Sequence, residues 1–269
     1  MVDYKLLFSK FEDSIKNNLF ISESEFSKRL QPFLEMDFRK QSDKEIFWVL
    51  VYVIFYSGIK AVTIEKKLES IKEELYDFEK LSELNDEEKQ KIISKIGFRK
   101  KCNYCFANAQ TYKEIIEEFS SFCKYVHSFE ITDLDPDNSK INLLREDLKK
   151  RFDGLGPRTV NHFLTDLGFN VLKPDRVICR IFYRLGLIDS PQNIEGAIME
   201  GKKFEQETGK PIRYIDIIFV KYGQMGKSDH FGTKDGICLE NKPNCKICGA
   251  KEFCRYFKEK IESASFLLI

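Results

Sequence analysis

The 269-residue sequence has no apolar run approaching the roughly 20 residues needed to cross a bilayer, so no membrane partner is expected. Its opening stretch, "MVDYKLLFSKFEDSIKNN", mixes acids with bases where a secretory leader would carry an apolar core. An intracellular location follows as an expectation. Few segments alternate apolar and polar residues, which argues against sheet. There is no internal repeat, no low-complexity run and no glycine-rich phosphate loop, so repeat arrays and P-loop nucleotide binding are not expected. The composition also excludes wholesale disorder, because 42% of residues are hydrophobic and 32% charged.

What is present repeats at three and four. "DKEIFWVLVYVIFYSG" is almost wholly apolar over more than three turns and stops at Gly58, which predicts a central buried helix with a glycine stop. "TIEKKLESIKEEL", "NDEEKQKIISKIG" and "ANAQTYKEIIEEFSSF" read as amphipathic helices, mostly opened by a Thr, Asp or Asn able to cap. After a loop at "DPDNS", the pattern "INLLREDLKKRF" resumes helix. "SPQNIEGAIMEGKKFEQE" and "PIRYIDIIFVKYG" each carry Pro near the first turn. The fold class is all-α. "GQMGKSDHFGTKDG", with four glycines, reads as a flexible surface loop.

Charge and cysteine are both unevenly placed. Residues 1–139 carry a net charge of −5 and residues 140–269 a net of +6, so a polyanion would meet the second half. Of eight cysteines, four lie between 238 and 254, with six, two and five residues separating Cys238, Cys245, Cys248 and Cys254. In a reducing compartment such clustering favours metal over disulfides. Four thiolates in 17 residues can wrap one tetrahedral ion or one cubane cluster, and spacing leaves zinc and iron–sulfur both open. Cys102 and Cys105, in "CNYC", read as two buried or incidental thiols, and the separate Cys123 and Cys179 as small hydrophobes in helices.

Two further stretches carry chemistry. In "FDGLGPRTVNHFLTDLG" a helix ends, Gly154 and Gly156 bracket Leu155, and a new helix starts at Pro157. The amides from Gly156 to Arg158 would sit at a helix N-terminus able to take a phosphate oxygen. This is a helix-hairpin-helix pattern, suited to gripping a DNA strand without reading its sequence. In "VLKPDRVICRIFYRLGLI" Asp175 is placed to cap a helix running to Gly186. A carboxylate there could equally orient water or stabilise a developing cation.

The cysteine spacing, with "KP" before the second cysteine and "CRY" at the last, resembles the iron–sulfur loop of endonuclease III and adenine-mismatch glycosylases. "GLGPRTV", followed 17 residues after Arg158 by Asp175 in "KPDRVICRI", resembles the hairpin and catalytic-Asp segment of that helix-hairpin-helix DNA glycosylase superfamily. The order hairpin, Asp, two helices, cysteines matches too. The resemblance covers residues 40–258 and is motif-dense from 152 onward.

It implies two all-α lobes with a DNA cleft between them. Residues 41–165 would form a helical bundle ending in the hairpin. Residues 1–40 plus 166–269 would form a second domain holding the catalytic Asp helix and a 4Fe–4S cluster. Cys238, Cys245, Cys248 and Cys254 would be its ligands, with Lys242, Lys246, Lys251 and Arg255 facing phosphates. Gly154, Gly156, Arg158 and Thr159 would meet double-stranded DNA, and Asp175 would support cleavage of the N-glycosidic bond of an extruded nucleotide. Members that also nick the backbone have Lys where Arg158 stands. A guanidinium cannot form their Schiff base, so a monofunctional glycosylase acting as a monomer is expected.

For the base pocket the resemblance points to the helix containing Trp48, Tyr52, Phe55 and Tyr56, a set that suits a cationic alkylated purine. Ser57 or Ile59, in the turn that follows, would fill the gap left by the flipped base. The alternatives are a bifunctional glycosylase/lyase and, from another class, a non-catalytic iron–sulfur DNA-binding module.

Overall fold

The computed structural model describes residues 2–136 and 138–262. The tail "SFLLI", expected to pack on the body, lies outside the described residues. The chain forms two compact units, a terminal unit of Met1–Glu35 with Asn170–Ile269 and a central unit of Met36–Phe169. The terminal unit opens with α1 (Tyr4–Lys16) and α2 (Glu23–Leu34). The central unit then holds α3 (Asp43–Tyr56), α4 (Ala61–Glu65), α5 (Leu68–Leu75), α6 (Phe78–Ser82), α7 (Asp86–Ile96), α8 (Arg99–Phe119), α9 (Phe122–His127), α10 (Asn138–Arg151) and α11 (Pro157–Asp166). The chain returns to the terminal unit with α12 (Arg176–Leu185), α13 (Ile194–Thr208) and α14 (Ile212–Gly223). Among the described residues the only β pairing is a pair of isolated bridges, and no helix is long and apolar enough to cross a membrane.

In the central unit α3 forms as its sequence predicts. Ser42 and Glu45 close a capping box, the apolar run follows, and Ser57 and the left-handed Gly58 (φ 72°) end it. Seven of its side chains, from Ile46 to Phe55, are buried. Tyr112 of α8 meets Phe47 and Phe78 and stacks on Phe122 with centroids 5.5 Å apart, so one aromatic cluster ties four helices together. The expected single helix over 63–75 is instead α4 and α5. The chain breaks at Lys67, whose ammonium leaves the helix line to bond Ile96 O at 2.7 Å. α8 starts at Arg99 rather than at Ala107, because Gly97 already ends α7 in the left-handed region.

In the terminal unit both ends of the chain build one core. Phe8 and Phe11 of α1 pack on Phe204 of α13 and on Phe219 and Tyr222 of α14, with Phe182 of α12 against the same rings. The glycine-bearing loop 223–236 is not free. Phe20 N–H donates to Gly232 O and Lys234 N–H to Asn18 O, and the Arg29 guanidinium holds the carbonyls of Asp229 and His230. A Cβ at Gly232 would sit 2.2 Å from Ile21. The loop is stapled to the α1–α2 connection.

Gly168 closes the central unit. Its φ is +97°, and a Cβ would lie 2.0 Å from Met36 O. Next to it Phe38 N–H donates to Leu167 O, and the Phe38 and Phe169 rings stack. Gly168→Ala is therefore expected to cost at least about 3 kcal/mol in denaturant unfolding, combining left-handed strain with a backbone clash. A loss below about 1 kcal/mol would contradict this packing.

Candidate DNA-contacting and catalytic site

The hairpin lies between α10 and α11. Gly154 there has φ +85°, and a Cβ would come within 3.1 Å of the Tyr104 ring and 3.3 Å of Ile54. Both conformation and crowding demand glycine at this position. Gly156 differs: its φ is −95° and only Thr159 Oγ1 lies near, at 3.9 Å. Thr159 Oγ1 accepts the Gly156 N–H at 2.6 Å and donates toward Gly154 O at 3.0 Å. The Gly156 amide, expected to be offered to a phosphate, is thus engaged inside the hairpin. The Gly154 and Thr159 amides donate to nothing among the described residues. Asn108 of α8 clamps the same turn, accepting from Asp153 N–H at 2.8 Å and donating to Asp153 O at 2.9 Å. Arg158 is half-buried at the second position of α11. One turn on, His162 meets Asp166 at 2.9 Å, an ion pair where the imidazole is protonated.

α3 presents a half-exposed aromatic stripe beside its buried face: Trp48, Tyr52 and Tyr56, four residues apart each time. Trp48 and Tyr52 make an edge contact, and the Tyr52 and Tyr56 centroids are 4.2 Å apart. Burial raises the Tyr52 hydroxyl well above its usual pKa, with further contributions from Tyr56 and the Asp166 carboxylate. Phe55 does not belong to this stripe. It is fully buried against Phe98, which removes it as a stacking candidate.

The turn after α3 is held from below by a residue that sequence reading passed over. Lys101 of α8 donates to Ile54 O at 2.5 Å, Ser57 O at 2.7 Å and Ser57 Oγ at 3.0 Å. Burial lowers its ammonium pKa, while the carbonyl end of α3 offers compensating negative dipole. The available signal was the run Arg99–Lys100–Lys101, hidden in a half of the chain whose net charge is negative.

Asp175 belongs to the terminal unit and caps α12. Its Oδ1 accepts from Val177 N–H and Ile178 N–H, both at 2.8 Å. Oδ2 accepts nothing among the described residues, and the side chain is half-exposed. One oxygen fixes the helix end and the other is available.

At the far end of α12 the four clustered cysteines line one small cavity, shared with Arg184, Pro243, Lys251 and Tyr256. None forms a disulfide. Tyr222 OH donates to Cys248 Sγ at 3.0 Å, and Arg184 Nη1 to Cys238 Sγ at 3.3 Å. Arg184 also holds the carbonyls of Leu239 and Glu240 and lies over Tyr256. Burial pushes the bare thiols of Cys245 and Cys248 up, and that of Cys254 up to about 11. Among the described residues no three His, Cys, Asp or Glu side chains are grouped to hold a single metal ion. Donors to sulfur and adjacent cations fit a thiolate-bound, net negative group spread across the cavity. Lys242, Lys246, Lys251 and Arg255 are exposed around it. Cys102 and Cys105 are fully buried in α8, as small hydrophobes.

Three comparisons bear on this arrangement. The sequence is similar to endonuclease III of Rickettsia felis (strain ATCC VR-1525 / URRWXCal2), with 26% identity over 226 residues, 82% of this chain and 87% of that protein. The fold is similar to that of Methanocaldococcus jannaschii 8-oxoguanine glycosylase/lyase solved with a 15mer DNA containing 8-oxoguanine. That match has a TM-score of 0.56 at 22% identity and covers 80% of this chain and 95% of that one. A trapped endonuclease III–DNA covalent intermediate gives 0.57 at 15% identity, covering 88% and 95%. Finally, the family pattern of methyladenine glycosylases matches residues 38–173, which span the aromatic stripe, α8 and the whole hairpin and stop two residues before Asp175. Half of the chain carrying that pattern, on this helical fold, places the protein in the methyladenine glycosylase family, among the helix-hairpin-helix DNA glycosylases of base-excision repair.

Proposed function

We propose that the protein is a monofunctional DNA N-glycosylase, with an alkylated purine as the favoured lesion and Asp175 as the catalytic carboxylate. The observation that carries the reading is the divided use of Asp175, with Oδ1 committed to the α12 cap and Oδ2 uncommitted. As the base departs, the sugar becomes oxocarbenium-like, and a fixed negative charge beside it lowers the barrier. The same oxygen can orient the attacking water. Trp48, Tyr52 and Tyr56 offer stacked π-faces to a flipped, cationic base. Gly154 and Thr159 supply two uncommitted amides for the strand, and Arg158 a cation beside them.

The four-cysteine cavity is read as the seat of a 4Fe–4S cluster held by Cys238, Cys245, Cys248 and Cys254. A cubane puts each thiolate on a different iron, so its ligands need not converge on one point as zinc ligands do. When bound it supplies a covalent anchor for a loop with little regular structure of its own. The chain's part is to donate hydrogen bonds to sulfur from Tyr222 and Arg184.

The deciding experiment incubates the protein with duplexes carrying alkylated, oxidised, deaminated or mismatched bases and scores strand breaks with and without alkali. Breaks that require alkali are expected, strongest with alkylated purine. Borohydride on abasic DNA is expected to trap no adduct, because Arg158 offers no amine nucleophile. A strong covalent adduct would replace this reading with a glycosylase/lyase.

A further inference from the structure

One face of α8 carries Lys101, Tyr104 and Asn108, at i, i+3 and i+7, and each touches a different part of the surface ascribed above to DNA contact. Lys101 fastens the turn after α3 through three hydrogen bonds. Asn108 fastens the hairpin through two bonds to the Asp153 backbone. Tyr104 lies between them, close beneath Gly154, where Ile54 also approaches. Asn108 is fully buried, so its amide serves the hairpin alone. Seven residues of α-helix separate the two fastenings, a span of about 10 Å, or roughly three nucleotide steps along one strand.

We propose that α8 is a brace setting the distance between the turn Ser57–Ile59 and the hairpin, with Lys101 and Asn108 as positioning residues for two different steps. Lys101 supports insertion of the turn into the gap that a displaced nucleotide leaves. Asn108 supports the grip on the strand, whatever the state of the base. The chemistry explains the division. Lys101 binds the carbonyl end of α3, from which the turn projects, whereas Asn108 binds only the backbone of the hairpin. The inference rests on the reading that these two loops meet DNA, but it does not depend on which lesion is cleaved or on Asp175.

The test measures dissociation constants for two duplexes of one sequence, one intact and one with a tetrahydrofuran abasic-site analogue, where the gap exists without any base chemistry. Lys101→Met is expected to reduce the preference for the abasic duplex about tenfold while changing intact-duplex affinity less than about threefold. Lys101→Arg, which restores charge and donors, is expected to recover most of the preference. Asn108→Ala should weaken both duplexes about tenfold and leave their ratio unchanged. Lys101→Gln, which shortens the side chain and removes its charge while keeping a donor, should lower the ratio about threefold, and it decides the matter if Lys101→Met does not fold. A ratio within twofold of wild type in folded Lys101→Met, or equal losses on both duplexes in the Lys101 and Asn108 variants, overturns the brace. Failure of the glycosylase reading would appear separately, as no base release from any lesion with these ratios intact.

Discussion

Asp175→Asn is expected to slow single-turnover base release by at least about 10³-fold while duplex affinity stays within about threefold of wild type. The substitution isolates charge from architecture. Asparagine is as good an N-cap as aspartate, so the bonds to Val177 N–H and Ile178 N–H survive and α12 keeps its start. What disappears is the negative oxygen left over after capping. Asp175→Ala removes both functions and should add about 1 kcal/mol of destabilisation to the catalytic loss. Comparing the two separates a catalytic carboxylate from a helix cap. Base release in the Asn variant within tenfold of wild type would leave Asp175 only its capping role and would move the catalytic assignment to another residue.

Much of this was legible in the sequence because the signals were local. The apolar α3 run, the glycine ends at Gly97 and Gly186, and Pro157 opening α11 all act within one or two turns, and each appears in the structure. The failures have a common cause in interactions distant along the chain. The 63–75 helix divides at Lys67, whose backbone leaves the helical region and whose ammonium bonds a carbonyl 29 residues away. The 223–236 loop reads as loose until its ladder to Asn18 and Phe20 is seen. Phe55 and Tyr56 are adjacent aromatics, and only the packing of α3 shows that one is core and the other half-exposed. Lys101 was invisible for another reason. Half-chain net charge averages away a three-residue basic run, and nothing local indicates that one of its members turns inward to Ile54 and Ser57. Periodicity assigns faces, but only tertiary contact assigns partners.

The second large effect concerns the sulfur cavity. Protein purified without oxygen is expected to show a broad absorbance band at about 400 nm and about four irons per chain. Cys245→Ala or Cys248→Ala should lose that iron, while Cys102→Ala should keep it, since Cys102 lies in the α8 core of the other unit. Between 238 and 254 the loop has only a short 3₁₀ turn, Lys251–Phe253, and few apolar side chains to bury. Hydrogen bonds from Arg184, Arg180 and Tyr222, and that of Gly249 N–H to Ser14 Oγ, tie it to the helices, and a group bound by the thiols would add a further anchor. Loss of the group should lower the melting temperature of the terminal unit and expose the loop to protease first. Duplex binding should weaken as well, with a shallower salt dependence, because Lys242, Lys246, Lys251 and Arg255 would no longer be held in one array. Stoichiometric zinc with no visible absorbance would remove the iron–sulfur assignment while leaving the argument about loop order in place. A cysteine variant whose metal content, melting and salt slope all match wild type would remove both, since the cavity would then need nothing bound to keep its shape.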